Sequence, residues 1–470
     1  MAKIVNVKFY GGVNEIGGNR ILVQDGSTKL FLDYGMSFGR NEKFFEEFLQ
    51  PRFASVGLKD LLRLQLVHDL PGTYRTDLVE LMGREATRTP SIDGILLSHI
   101  HMDHSAYVSL LDERVPIVCS PITSTYAKAI LGCGKRTMET EIYDFIRRPN
   151  NRDDPVQRTF INANSGRELD IGNVKVTPYA VDHSVLGANA YLLKTRNATI
   201  AYTGDLRLHG KATDLTEKFI EAASNTEPDI LLCEGTRINE TQSTTENDVL
   251  AKSIETVRKS RGLVIADFAY RDMTRLKTFY DVAMKTDRKL VITMKDAHLI
   301  QSLTESCELP FELPSIVDEN ILIYQDRKGS GSYQEKDYRK WERPLLERAN
   351  IIRAAEVHER AKDLIIHLTF YDFTELIDID PSQGTTYIHS SSEPYNEEQL
   401  IDQERLDNWL DYFDMRKHQF HASGHANGDE IRKIVDRIKP RELIPIHTQH
   451  PELFEKIHDN VRMPILQPFN

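Results

Sequence analysis

The run His99-Ile100-His101-Met102-Asp103-His104 places three imidazoles and a carboxylate within six residues of a chain that holds 16 histidines in 470. Neutral imidazole is the commonest protein ligand of zinc-like ions and carboxylate its usual companion, so four donors at this spacing describe a metal cage. Two further donors lie at predicted strand ends. His183 follows an apolar stretch that stops near Ala180, and Asp205 closes the run Tyr202-Thr203-Gly204-Asp205. A strand that terminates in Gly-Asp presents its carboxylate at a sheet rim, where donors from neighbouring strands converge. Read alone, His183 is equally well an ordinary surface histidine; its order and strand-end placement beside the 99–104 turn make it a candidate ligand.

Such donors must be carried by short strands, and apolar stretches bounded by Gly, Pro, Asn or Asp predict strands at 5–10, 20–24, 29–33, 92–98, 115–119, 174–180, 190–194, 199–204 and 229–233. The histidine-rich turn follows directly on the buried stretch that begins at Ile92. Helices are predicted at 124–131 and 217–223. After about residue 240 longer helices alternate with apolar strands: a helix at 246–259 precedes a strand at 262–268, and a helix at 399–413 closes the section. This alternation predicts a second α/β unit with a parallel sheet. A helix at 429–438 and a strand at 442–446 follow.

Composition excludes several classes. Hydrophobic residues make up 40% and charged residues 28%, which suits two or three soluble globular units. No apolar run is long enough to span a membrane, and the N-terminus goes straight into strand-like alternation, so a cytoplasmic protein is expected. The cysteines, at 119, 133, 233 and 307, form no Cys-x-x-Cys pair, which speaks against a disulfide framework or a zinc ribbon. A net charge of −12 argues against wholesale coating of nucleic acid but leaves room for a local basic groove.

The order Asp33 (in Phe31-Leu32-Asp33-Tyr34-Gly35), the 99–104 turn, His183 and Asp205 resembles the signature of the metallo-β-lactamase superfamily. The resemblance implies that His99, His101 and His183 hold one metal and Asp103 and His104 the other, with Asp205 bridging. Asp33 would stand behind the ligands rather than on a metal. Two zinc ions are implied, with manganese as the alternative. Such a pair lowers the pKa of a shared water and clamps the attacking and leaving oxygens of a phosphodiester, so hydrolysis is the expected chemistry.

The C-terminal run Phe420-His421-Ala422-Ser423-Gly424-His425-Ala426, then Pro445-Ile446-His447, is similar to the last motifs of the β-CASP nucleases, and Glu234 in Leu232-Cys233-Glu234-Gly235-Thr236 to their first. The implied fold is an α/β metallo-β-lactamase αββα sandwich with an inserted β-CASP α/β domain. Residues 1–239 would begin the metallo-β-lactamase domain, 240–424 would form the insertion and 425–470 would complete the first domain. Carried over by position, Glu234 would orient His425, His425 would act as general acid on the leaving oxygen, and His447 would be the seventh ligand. Asp103, His425 and Glu234 would thus take part in catalysis. A positioned acid contributes about 10²–10⁴-fold in rate.

Within that group the chain resembles ribonuclease J, on Gly11-Gly12-Val13-Asn14-Glu15-Ile16-Gly17-Gly18-Asn19 and on Ser390-Ser391-Ser392-Glu393-Pro394. Hydroxyls at such a serine run can ligate phosphate oxygens without adding charge, as can His421 and Ser423. DNA-directed β-CASP nucleases usually carry an apolar residue at the position of His447, which makes RNA the expected partner. Three features depart from the bacterial members. Only 23 residues follow His447, too few for their C-terminal domain; Ile446-His447-Thr448-Gln449 stands where they have Val-His-Gly-Glu; and 39–90 reads as an insertion typical of short archaeal-type members. No Gly-x-x-Gly module of the KH type precedes the catalytic residues.

The expectation is a two-metal ribonuclease acting 5′ to 3′ from 5′-monophosphorylated ends, with endonuclease activity in addition, as a homodimer that touches no membrane. Its rivals are a hydrolase of a small ester or lactone, which has no evident need for Glu234, His425 and the insertion, and a catalytically silent RNA-binding subunit, against which the intact donors speak.

Overall fold

The computed structural model describes residues 5–46, 49–52, 56–149, 154–242, 244–348, 350–391 and 397–469. The chain divides into two units, one of Met1–Leu208, Ala212–Gln242 and Gly424–Asn470 and one of His209–Lys211 and Ser243–Ser423.

The first unit is built on two six-stranded sheets. One runs in the order Asn6–Gly11, Arg20–Asp25, Thr28–Leu32, Gly94–Leu96, Ile117–Cys119, Phe160–Asn162, and the other Glu442–Ile446, Ile230–Glu234, Thr199–Tyr202, Asn189–Lys194, Val174–Ala180, Leu169–Ile171. Alternate residues of both sheets meet in one core: Ile21 and Val23, Leu30 and Leu32 from the first, Tyr191 and Leu193, Ile200 and Tyr202, Leu232, Ile444 and Ile446 from the second. The period of two is what a strand requires when one face is turned inward. The intervening residues Leu192, Ala201, Leu231 and Leu443 of the second sheet face the other way. They pack against Phe219, Ile220 and Ala223 of the helix Thr213–Thr226 and Ile431, Ile434 and Val435 of the helix Gly428–Ile438. The result is a sandwich of two sheets with helices on the outer face of the second, in line with the expected αββα fold.

Strand direction gathers the candidate donors. In the first sheet Thr28–Leu32, Gly94–Leu96 and Ile117–Cys119 run parallel, so Asp33 and the 99–104 turn leave the same edge. In the second, Thr199–Tyr202, Ile230–Glu234 and Glu442–Ile446 are parallel, and Val174–Ala180, two antiparallel steps away, points the same way. His183, Asp205, Glu234 and His447 therefore share one rim. Parallel neighbours need long crossovers, which is why these donors lie so far apart in sequence.

The second unit carries a seven-stranded, wholly parallel sheet in the order Ile351–Ile352, Ile321–Tyr324, Lys289–Ile292, Leu364–His367, Val264–Asp267, Thr386–His389, Arg416–Gln419. The strands from 264 to 267 and from 364 to 367 are buried throughout, as a parallel sheet covered on both faces demands. The predicted helix at 246–259 forms over those residues because Thr245 and Asp248 cap each other's backbone reciprocally.

One expectation needs adjustment. The strand expected at 92–98 is confined to Gly94–Leu96; beyond it the Ser98 amide donates to the Asp33 carboxylate and not to a neighbouring strand. The stretch expected to be an insertion, 39–90, holds the short helices Gly57–Arg63 and Thr76–Leu81 and buries Leu58, Leu61, Leu66, Val67 and Leu78, which is compatible with that expectation. Among the described residues no helix is long and apolar enough to cross a membrane.

Candidate metal centre

The turn that begins at His99 is extended through His101 and then closes as the helical turn Met102–Ser105, which brings Asp103 and His104 back beside His99. Two glycines make room for it. A Cβ on Gly35 would lie 1.7 Å from the Asp103 carbonyl oxygen, and one on Gly17, whose φ is +78°, 2.6 Å from the Asp103 Cβ. The glycine-rich N-terminal loop thus wraps the histidine turn: the Asn19 amide donates to the Asp103 carbonyl at 3.1 Å, and the His447 amide to the Gly12 carbonyl at 3.0 Å. Glu15 holds the loop by accepting from the Gly12 amide, the Ser37 hydroxyl and Arg40.

Two groups of donors result, each within 4.8 Å of one another. His99, His101 and His183 form one, and Asp103, His104, Asp205 and His447 the other. Asp205 Oδ2 stands between them, 3.0 Å from His104 Nε2, 3.8 Å from His447 Nε2, 3.7 Å from His99 Nε2 and 3.9 Å from His183 Nε2. The donors fit a cation better than they fit one another. His101 Nδ1 lies 3.1 Å from both His99 Nε2 and His183 Nε2, and His104 Nε2 lies 3.2 Å from His447 Nε2. Ring nitrogens crowd together at these distances, and Asp205 Oδ1 is buried with no hydrogen-bond partner among the described residues. The donor set of imidazole nitrogens and carboxylate oxygens suits zinc-like ions.

The outer nitrogens of these rings are fixed by partners that the chemistry requires. His104 Nδ1 donates to Asp33 at 2.7 Å, His183 Nδ1 to the Gly424 carbonyl at 2.6 Å, and His447 Nδ1 lies 2.8 Å from the Thr236 hydroxyl. Asp33 is fully buried and accepts in addition from the Ser98 amide and hydroxyl and from the Tyr202 hydroxyl. Asp33 and His447 both adopt a left-handed backbone, at φ +55° and +52°, a strained conformation held by these bonds.

Electrostatics separate the histidines. Burial, reinforced by the neighbouring imidazoles, presses His99 and His183 well below the usual histidine pKa, so both present neutral lone pairs. Burial opposes charge on His104 as well, but Asp205, Asp103 and Asp33 outweigh it and hold its pKa well above the usual value. Asp205 is buried too; His104, His447 and His425 keep it ionised.

His425 and Glu234 lie beside this group. His425 Nδ1 is 3.1 and 3.2 Å from the two Glu234 oxygens and 3.8 Å from Asp205 Oδ2. Glu234, fully buried, also accepts from the Leu206 and Thr236 amides, which leaves it immobile. Burial lowers the His425 pKa, but Glu234 and then Asp205 overcome it and bring it to about 9. Asp205, Glu234, His425 and His447 also form a group of donors within 4.8 Å.

In the second unit the structure joins Ser390 and His421, whose Nδ1 lies 3.1 Å from the Ser390 carbonyl. Ser390 departs from its expected role as a phosphate ligand: it is buried, its hydroxyl donates to the Phe420 carbonyl, and it accepts from Arg275. Ser391 and Ser423 are half-buried, and Ser392 lies outside the described residues. Ser98, Tyr202, Thr236, Asn19 and the Gly424 carbonyl also serve the site; all but Ser98 lie inside the motifs singled out above, but their residue types gave no sign of these roles.

A family profile for the Beta-lactamase superfamily domain matches residues 76–264, and one for the Zn-dependent metallo-hydrolase RNA specificity domain matches residues 414–457. The chain is 22% identical to Ribonuclease J 2 of Streptococcus pyogenes over 94% of its own length and 69% of that protein. It is 21% identical to Ribonuclease J of Helicobacter pylori over 95% of itself, but spans only 56% of that relative, and 22% identical to Ribonuclease J of Pyrococcus abyssi over 96% of itself and 93% of the relative. A crystal structure of a protein of unknown function from Enterococcus faecalis superposes with a TM-score of 0.74 over 99% of both chains at 23% identity, a likeness of fold. Two family profiles match parts of the chain and ribonuclease J proteins align along nearly its whole length at low identity, so the chain is similar to the ribonuclease J-like β-CASP group of metallo-β-lactamase proteins.

Proposed function

We propose that the chain is a metal-dependent ribonuclease that hydrolyses RNA phosphodiester bonds with two divalent ions, zinc by preference. The observation that carries this reading is Asp205 Oδ2, placed within 4 Å of histidines from both donor groups. His99, His101 and His183 would hold one ion and Asp103, His104 and His447 the other, with Asp205 shared. Bound ions supply a nucleophile at neutral pH and neutralise the charge of the phosphodiester. The protein's own groups do the rest. Asp33, Gly424 and Thr236 fix which nitrogen of His104, His183 and His447 faces inward, and the Glu234 carboxylate holds His425 by Nδ1 and keeps it protonated. Proton delivery to the leaving oxygen then falls to His425 Nε2.

RNA as substrate rests on the RNA specificity profile over 414–457 and on the relatives' name, ribonuclease J. The finer reading is a 5′-to-3′ exonuclease on 5′-monophosphorylated ends, with Ser391, His421 and Ser423 as ligands of backbone or terminal phosphate, acting in the cytoplasm as a homodimer. A second reading makes Glu234 and His425 metal ligands, which their proximity to Asp205 and His447 favours. Incubating the zinc-loaded or manganese-loaded protein with RNA labelled internally and at a mono- or triphosphorylated 5′ end tests the proposal. Mononucleotides released from the monophosphorylated RNA are expected. Internal cuts before any mononucleotide would make it an endonuclease, and no cleavage of RNA at all would overturn it.

A further inference from the structure

Arg275 is fully buried in the second unit, in the first turn of the helix Met273–Lys285, where Asp272 caps the backbone by accepting from the Arg275 amide. All five of its N–H groups have partners. Nε lies 3.3 Å from Glu246 Oε2 and Nη2 2.9 Å from Glu246 Oε1; Nη2 also reaches the Ala422 carbonyl at 3.1 Å. Nη1 donates to both the carbonyl and the hydroxyl oxygen of Ser390, at 2.5 Å each. Glu246 is equally buried and accepts from Thr278 as well.

A buried ion pair is weak support for stability, because desolvation offsets the attraction, but it fixes geometry when every donor is satisfied. Here it fixes three places at once: Glu246, where the helix Glu246–Lys259 begins; Ser390, directly after the strand Thr386–His389; and Ala422, which stands between His421 and Ser423. The Ser390 carbonyl receives a second bond, from His421 Nδ1 at 3.1 Å. A carbonyl only accepts, so Nδ1 carries the proton and the His421 ring is oriented through Ser390, which Arg275 holds. The Ser390 hydroxyl passes its own proton to the Phe420 carbonyl and so ties the two loops together.

We propose that Arg275, paired with Glu246, is a positioning residue for phosphate recognition: it holds Ser390 and Ala422 so that Ser391, His421 and Ser423 face a phosphate of the RNA. This rests on the assignment of those three residues to phosphate binding. Lysine carries three donors on a single nitrogen and cannot reproduce five bonds made from the three nitrogens of the guanidinium fork.

The test uses the full-length metal-loaded protein and 5′-monophosphorylated and 5′-triphosphorylated RNAs of the same sequence. Arg275→Lys and Glu246→Gln are compared with the unaltered chain for KM, kcat, metal content and melting temperature. The expected result is a KM for monophosphorylated RNA raised about tenfold in Arg275→Lys and less in Glu246→Gln, with kcat within about twofold and metal content unchanged. The preference for monophosphate over triphosphate should fall in parallel. Equal KM and equal preference in both folded variants would overturn the proposal, as would a fall in kcat alone. If Arg275→Lys does not fold, Glu246→Gln decides between these outcomes. A protein whose unaltered form shows no preference between the two 5′ ends, and whose KM does not respond to Ser391→Ala with Ser423→Ala, refutes the phosphate assignment itself. That result is distinct from a failure of Arg275 alone.

Discussion

Asp33 accepts the Nδ1 proton of His104 at 2.7 Å, and that one bond decides which nitrogen of the histidine faces Asp205 and His447. The carboxylate is fully buried and saturated by Ser98 and Tyr202, so it has no freedom to turn away.

Asp33→Asn keeps the size of the side chain but gives up its charge and turns one acceptor into a donor. Metal affinity is expected to fall by about 10–100-fold, with the protein still folded. Equilibrium dialysis against a zinc buffer reads the change; unaltered affinity would mean that the ring is oriented by packing alone.

Because Asp205, Asp103 and Asp33 hold His104 protonated in the metal-free chain against the pull of burial, ion binding must expel a proton. Metal affinity should weaken as pH falls, and calorimetry of zinc binding in buffers of different ionisation enthalpy should report net proton release. Buffer-independent heats would contradict this.

His425→Ala should keep both metals and its RNA affinity while losing about 10²–10⁴-fold in kcat, and Glu234→Gln should show a milder form. Glu234 is the largest influence raising His425 to about 9 against burial, and bound dications press that value down again. A general acid must be protonated, so activity falls as pH rises through its pKa, and Glu234→Gln should move this alkaline limb to lower pH. Loss of an ion in His425→Ala would establish it as a ligand instead.

In the second unit a buried pair unrelated to the metal centre sets a pH limit on stability. Burial opposes the charge of His367, but Asp296, 2.7 Å away, overcomes it and raises the pKa to about 9 from 6.5. The folded-state value is the higher one, so the stabilisation is fully present below about pH 6.5 and is lost as pH rises through about 9. At most roughly 3 kcal/mol is at stake. Urea unfolding from pH 6 to pH 9.5 should show this decline, and His367→Gln should flatten it.

The donors were legible because a sheet rim concentrates them: the 99–104 turn is local, and Gly204-Asp205 marks a strand end whatever the crossover lengths. What lies behind the donors was not legible. Tyr202 reaches Asp33 across 169 residues, and Thr236 reaches His447 across 211, through pairings that no local spacing encodes. Ser390 misled for a related reason. A serine-rich run reads as a set of free hydroxyls, but whether one of them is already bonded depends on Arg275, which comes from another helix 115 residues away. In the segment 39–90 charged residues surround the spaced leucines at 58, 61, 66 and 78, so its buried side was not legible in the sequence.

The most direct test of the account is a zinc titration of chelator-stripped protein, read at once as bound metal and as nucleotide released from 5′-monophosphorylated RNA. Two ions should bind per chain, with hydrolysis appearing as the second site fills, and Asp205→Ala should bind fewer ions and release no nucleotide. Saturation at one ion, together with an Asp205→Ala protein that still cleaves RNA, would contradict it.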